Sequence, residues 1–258
     1  MIRSKTTIIL LFSSLGLNLS AITYAIYRGI NRGDFARYYK EGYFLTNIST
    51  FHLLILSFLC FYIYSLNKRY LKTNTNHKKG KPILWLVLCL GFLFLGIDEQ
   101  FMIHEYIDIF THNLMESILN YQGNSITRRL DDIVVLFYFI FGVFMIAKYK
   151  AEMRLFKDAK SYLRIGLILT LVMISIDIIT SQNDLFSILF PIENNIYMIK
   201  LFGAIEDSIK LFALTFFCAW LGKCISIVQN KTLTNLKKYN KKKFDKSGSK
   251  NKRRGINN

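Results

Sequence analysis

Residues 83–105 read ILWLVLCLGFLFLGIDEQFMIHE. From Ile83 to Ile97 no charged side chain interrupts the run; then Asp98, Glu99, His104 and Glu105 follow within eight positions. An apolar helix of about 20 residues crosses a hydrocarbon core about 30 Å thick. Only helices and closed barrels satisfy all their backbone polar groups in lipid. A barrel strand alternates apolar and polar positions, and this run does not. The stretch therefore reads as a membrane-crossing helix with an acidic and imidazole cluster at its end.

Five further blocks of the same kind extend outward from it. The six expected spans are roughly 7–27, 43–66, 83–103, 130–147, 163–180 and 198–222. Hydrophobic residues make up 52% of the 258, and there are only two prolines, so long unbroken helices are the natural product. The expected fold is all-α: a polytopic bundle of six transmembrane helices in residues 1–222, followed by a basic tail, 223–258. The start, MIRSKTTIILLFSSLGL, has the charge pattern of a signal peptide. Its apolar run continues through Ala25–Tyr27, so it reads as an uncleaved first span. Cys60, Cys89, Cys218 and Cys224 lie in or beside spans without metal-ligand spacing, and read as small buried apolar residues.

Charge sets the expected orientation. With the N-terminus on one side, that side receives 26 of the 34 basic residues, from Arg3 and Lys5, the 67–81 and 148–164 loops and the tail. The positive-inside rule makes it the cytoplasm, with both termini inside and the protein multi-pass in the plasma (inner) membrane. The tail, KKYNKKKFDKSGSKNKRRGINN, is basic and poor in apolar residues, and reads as disordered. Its expected partner is the anionic lipid headgroup layer, at about 1 kcal/mol per basic residue near the surface; nucleic acid is not expected.

Acidic residues collect on the opposite side, which takes 14 of 17. Four spans bring carboxylates there: Asp98 and Glu99, Asp131 and Asp132, Asp177, and Glu206 with Asp207. His52, His104 and His112 fall on the same side, with Asn47, Ser49 and Thr50 at the start of the second span; His77 is cytoplasmic. If the third span continues as one helix, Asp98, Glu105, His112 and Glu116 share a face, because seven residues drift only about 20°. An acid at the centre of a membrane helix costs about 2.5–3.5 kcal/mol, so these groups should face the bundle interior and pair there. Lys210, about 12 residues into the last span, needs such a partner near the midplane, and Glu206 or Asp177 is the expected one.

One lysine cannot neutralise eight acids. The remainder are protonated, or matched by Arg128 and Arg129 from the loop, or gathered around a cation. Carboxylates alone suit Mg²⁺, Ca²⁺ or Mn²⁺, and carboxylates with imidazole suit Zn²⁺ or Fe²⁺. The expected ligands of a divalent cation are Asp98, Glu99, His104, Glu105, His52, Asp131 and Asp132. The expected catalytic groups are Glu206, Asp207, Lys210 and Asp177.

The series DEQFMIHE, LDDIVV, SIDIIT and AIEDSIKLF resembles a set found in poorly characterised bacterial six-span membrane proteins. Glu206-Asp207-x-x-Lys210 is similar to the Glu-Glu-x-x-Lys/Arg signature of PrsW/CAAX-type intramembrane proteases. That family adds a later histidine-bearing helix, and no histidine follows His112 here. Ser49 and His52 on the second span resemble the zinc-dependent membrane hydrolases of the ceramidase type, without their seventh span and closing His-x-x-x-His. These resemblances imply a membrane hydrolase or transferase acting on lipid or lipid-linked substrate. Two other readings fit the same residues. One is a cation- or proton-coupled transporter with Asp177, Glu206 and Lys210 as relay. The other is a non-catalytic partner or assembly protein whose polar network fixes helix packing.

Overall fold

The computed structural model describes residues 4–39, 42–73, 82–119, 130–180 and 195–254, with side chains described throughout except at 4, 35–36, 70–73, 115–116, 118–119, 130–132, 195–197 and 235–254. Arg128, Arg129, His77 and the side chains of Glu116, Asp131 and Asp132 lie outside the described residues. No strand occurs among the described residues.

The helices, in chain order, are α1 (Ser4–Asn31), α2 (Phe44–Thr73), α3 (Ile83–Phe101), α4 (Ile103–Leu119), α5 (Leu130–Lys148), the one-turn α6 (Lys150–Met153), α7 (Lys160–Thr180) and α8 (Asn195–Arg254). Short 3₁₀ segments, Phe35–Tyr39 and Arg154–Ala159, link α1 to α2 and α6 to α7. Five stretches are long and apolar enough to cross a membrane: Lys5–Asn31, Arg37–Arg69, Ile83–Phe101, Lys150–Thr180 and Met198–Thr234. The sixth expected span coincides with α5, whose apolar part, Ile133–Lys148, is shorter.

α8 is the central post. It packs against α1, α2 and α7, and α2 in turn packs against α3. Its window is 78% buried, against 22% for α1, α3 and the α7 segment, so it has almost no lipid-facing side. Hydropathy alone does not set this, since the less buried α7 segment is the more apolar of the two; α8 carries Glu206, Asp207, Lys210 and Thr215, polar groups that belong inside the bundle rather than against lipid. The outer helices expose large apolar side chains such as Phe12, Phe58, Leu90, Phe137 and Phe141, an apolar exterior that suits lipid rather than water. Beyond Thr234 the backbone of α8 runs on helically to Arg254, where the sequence pointed to disorder. Lysine is a good helix former, no proline interrupts, and the helix is already nucleated, so propagation needs no new nucleus.

The two ends of the bundle differ in chemistry. Near the start of α3 the core is dry and aromatic: Trp85 meets Phe156 edge to face at 4.9 Å and Trp220 in a tilted contact at 5.7 Å, with Leu56, Cys60, Ile63, Leu84, Leu221 and Cys224 in the same cluster. At the other end a smaller cluster, Ala21, Ala25, Tyr39, Leu45, Ala204 and Leu211, leaves room for polar side chains.

Close packing also fixes two glycines. A Cβ on Gly166 would lie 2.8 Å from the Phe217 ring, and one on Gly222 would lie 2.7 Å from Leu10 Cδ1 and 3.5 Å from the α1 backbone at Thr7. These small residues let α7 and α1 approach the post.

Candidate functional site

The third span does not continue as one helix. α3 stops at Phe101, Met102 takes a left-handed conformation (φ 52°, ψ 44°), and α4 starts at Ile103. The Met102 N–H donates to the Asp98 carbonyl, the ordinary way a left-handed cap closes a helix, though glycine usually fills that position. Asp98 then turns its carboxylate onto the next helix. Oδ1 accepts the His104 backbone N–H at 2.9 Å, and Oδ2 accepts Nδ1–H of the same residue at 3.0 Å. A carboxylate only accepts, so Nδ1 carries the hydrogen and Nε2 is the basic nitrogen of that ring. The break corrects the heptad reading: Asp98 on α3 no longer shares an azimuth with Glu105 and His112 on α4. Glu105 and His112 are half-buried on α4.

The neighbouring residue, Glu99, faces the bundle. Its Oε1 accepts the Ser49 hydroxyl at 2.6 Å and the Lys210 ammonium at 2.9 Å. Lys210 also meets Asp207 Oδ1 at 2.9 Å, one turn earlier on α8. The lysine's partners are thus Glu99 across the bundle and Asp207 on its own helix, whereas sequence spacing pointed to Glu206 or Asp177. Glu206 contributes to the electrostatic field at the same ammonium. Asp177 is half-buried on the last turn of α7, at the same end. The pairing corrects the depth of Lys210 as well. Glu99 stands 16 residues into α3, about 24 Å along its axis. Lys210, bonded to it, is level with the far end of α3 rather than with the middle of the bundle.

A second network lies one turn along α2. His52 Nδ1 is 2.9 Å from the Ile48 carbonyl oxygen, which can only accept, so Nδ1 carries the hydrogen. Nε2 of the neutral ring then accepts the Ser14 hydroxyl at 2.9 Å. With its hydrogen spent, Ser14 can only accept at its 3.0 Å contact with Thr215, whose single hydroxyl hydrogen also has the Leu211 carbonyl at 3.1 Å. Asn18 Nδ2 donates to Thr215 Oγ1 at 2.7 Å and to the Leu211 carbonyl at 2.8 Å. This uncharged chain ties α1, α2 and α8 together beside the charged group. Ser14, Asn18 and Thr215 were not singled out from the sequence, although a polar side chain inside an apolar span was a visible signal.

The seven expected metal ligands therefore separate. Asp98 and His104 pair with each other, Glu99 is held by Lys210 and Ser49, both nitrogens of His52 are engaged elsewhere, and the Asp131 and Asp132 side chains lie outside the described residues. Among the described residues no three His, Cys, Asp or Glu side chains come together as a metal site. Among the described residues the expected donors do not converge on one cation site; Asp131 and Asp132 lie outside them. What the geometry provides is one carboxylate–imidazole pair at Asp98 and His104 and one ammonium held by two carboxylates, both at the end of the bundle where α3 stops.

A family model described as a domain of unknown function, DUF8692, matches residues 9–224. The chain belongs to the DUF8692 family. The match runs from α1 into α8, encloses every candidate site residue, and stops short of the basic tail. No curated protein and no solved structure matches the chain.

Proposed function

We propose that this DUF8692 protein is a membrane-embedded hydrolase or transferase that works by acid–base catalysis on a lipid or lipid-linked substrate at the non-cytoplasmic leaflet. The observation that carries the reading is the Asp98–His104 pair. A carboxylate bonded to Nδ1 fixes the ring and its tautomer and stabilises the imidazolium that forms when Nε2 takes a proton, the arrangement used by general bases in acyl transfer. In a hydrolytic step Nε2 of His104 would take a proton from water as its oxygen attacks, and return it to the leaving oxygen or nitrogen. Lys210 would stabilise negative charge on the reacting centre, and Glu99 and Asp207 would hold it in place.

Charge narrows the substrate class. One ammonium against two carboxylates leaves a net negative trio, which disfavours a phosphate headgroup. An ester, amide or glycosidic bond in a neutral or cationic headgroup suits it better. The separation of a polar end from an aromatic, dry end supports a site entered from one side, rather than a relay across the membrane.

In this reading α5 is the sixth crossing, both termini face the cytoplasm of the plasma membrane, and the basic tail rests against anionic headgroups. A second reading is favoured by the ion-pair geometry itself. Three helices are pinned by Ser49, Glu99 and Lys210, which is what a purely structural network would do.

The test is comparative lipid analysis of cells expressing the wild type, His104→Gln or Asp98→Asn, with each variant checked for folding in detergent. The expected result is a lipid species that changes with the wild type and not with either folded variant. Identical lipid profiles for all three would overturn the catalytic reading and leave the structural one.

A further inference from the structure

α4 is built inside out for a helix surrounded by water. Tyr106 is 64% exposed, Phe110 68%, Ile109 53%, and Ile107 and Leu114 also lie on the outside. His104, Glu105, Asp108 and His112, the residues water would solvate best, are all half-buried. On a helical wheel Ile103, Tyr106, Ile107, Phe110 and Leu114 form one stripe, and Glu105, Asp108 and His112 form the opposite one. At 17 residues α4 is shorter than a crossing helix, and it begins at a sharp break, the left-handed Met102. Its neighbours are α5 and α3, so the apolar stripe has no protein cover among the described helices. Those two helices also expose large apolar side chains, Phe101, Ile97 and Phe94 on α3 and Phe137 and Phe141 on α5.

We infer that α4 does not cross the bilayer but lies in its interface, at the end of the bundle that holds Lys210, with the Tyr106–Phe110–Leu114 stripe in the acyl region and the Glu105–Asp108–His112 stripe turned to the polar site. An amphipathic helix with this pattern settles with its apolar face about 5–10 Å below the headgroup boundary. The occupant of the exposed stripe is lipid. Two observations select it over a protein partner: the helices α4 packs against, α3 and α5, also expose large apolar side chains, and the polar side of α4 is the half-buried one, not the outward one as on a docking helix standing in water. The consequence is that His104, in the first turn of α4, sits at headgroup depth, so a bilayer lipid reaches it sideways without leaving the membrane. The placement holds whether or not the Asp98–His104 pair is catalytic.

The test uses full-length protein reconstituted in phosphatidylethanolamine–phosphatidylglycerol liposomes, with single nitroxide labels on Tyr106→Cys, Phe110→Cys, Leu114→Cys, Asp108→Cys and His112→Cys. Phe141→Cys serves as a lipid reference and Asp158→Cys as a water reference. The wild-type cysteines are buried or half-buried, and unmutated protein is the labelling control. Collision rates with oxygen and with a nickel chelate report the surroundings of each label. The expected result is oxygen-dominated collision at 106, 110 and 114, at a depth between the two references, and chelate-dominated collision at 108 and 112. Chelate access at 110 and 114 equal to that at 158 would overturn the inference, because α4 would then stand in water. Oxygen-dominated collision at all five, at the depth of the bilayer centre, would also overturn it, because α4 would then be inserted. Each label is read separately, so loss of one variant leaves the others to decide.

Discussion

Replacing Lys210 with methionine removes the ammonium and keeps most of the side-chain volume. Glu99 and Asp207 then face each other's side of the bundle without a counter-charge, each only 15–18% exposed at its side chain. Taking one partner from a buried ion pair costs about 3–5 kcal/mol, because the charge left behind is uncompensated. The small residual exposure argues for the lower end, about 3 kcal/mol. For a domain of this size that corresponds to a fall in melting temperature of about 6–12 °C. The protein carries its own reporter. Cys60, Cys218 and Cys224 are buried and Cys89 is half-buried, so a thiol-reactive fluorophore labels them as the bundle opens on heating. The triple variant Lys210→Met, Glu99→Gln, Asp207→Asn removes every charge together and should recover the melting temperature to within a few degrees, since neutral groups in place of a buried ion network are often no less stable. A melt for Lys210→Met within about 2 °C of wild type would refute the pairing. So would a triple variant as unstable as the single one.

Three further outcomes follow from the packing. Gly166→Ala sets a Cβ 2.8 Å from Phe217 and should cost about 1–3 kcal/mol, with most of it recovered in Gly166→Ala/Phe217→Leu; a thermal melt of all three variants checks the coupling. Met102→Gly relieves a left-handed residue and should raise stability by up to about 1–2 kcal/mol, whereas Met102→Val should lower it, read in the same melt. Trp85→Ala empties the junction of Trp220 and Phe156 and should cost about 3–5 kcal/mol, seen as early labelling of Cys60 and Cys224 on heating.

The helical bundle was legible because lipid leaves the backbone so few options. Long apolar runs between charged loops mark helices almost without regard to side-chain detail, and five of the expected spans coincide with helices of crossing length. The region 130–147 shows where that argument thins. Its apolar part is shorter, Asp131 and Asp132 open it, and hydropathy alone does not say how far α5 goes through. The tail shows another boundary. Composition reports that 235–254 cannot bury a core, but it does not report that α8 arrives already helical and continues through lysines that cost it little.

The site was legible as a location and illegible as a set of bonds, for a specific reason. Locating it needed only counts: which ends of which spans carry acids. Pairing needs azimuth and depth; azimuth depended on the one residue that no pattern marked, Met102, and depth on where α8 begins. Heptad arithmetic assumes an unbroken helix, and a glycine at 102 would have warned of a break; a methionine did not. Once the chain turns there, Asp98 is spent on the start of α4, and Glu99, one residue away and about 100° around the helix, is the carboxylate that reaches the post. Depth failed too. Counting 12 residues down the last span placed Lys210 at mid-membrane because the span was assumed to begin at the surface, but α8 overshoots the end of α3. The same geometry makes the chemistry plausible. Had Lys210 sat deeper, near Phe92 and Phe217 in the middle of the bundle, its charge would have answered only to packing. Level with the end of α3 and held by Glu99 and Asp207, it lies at the polar end of the bundle, where the proposed reaction on a lipid headgroup needs a positive charge.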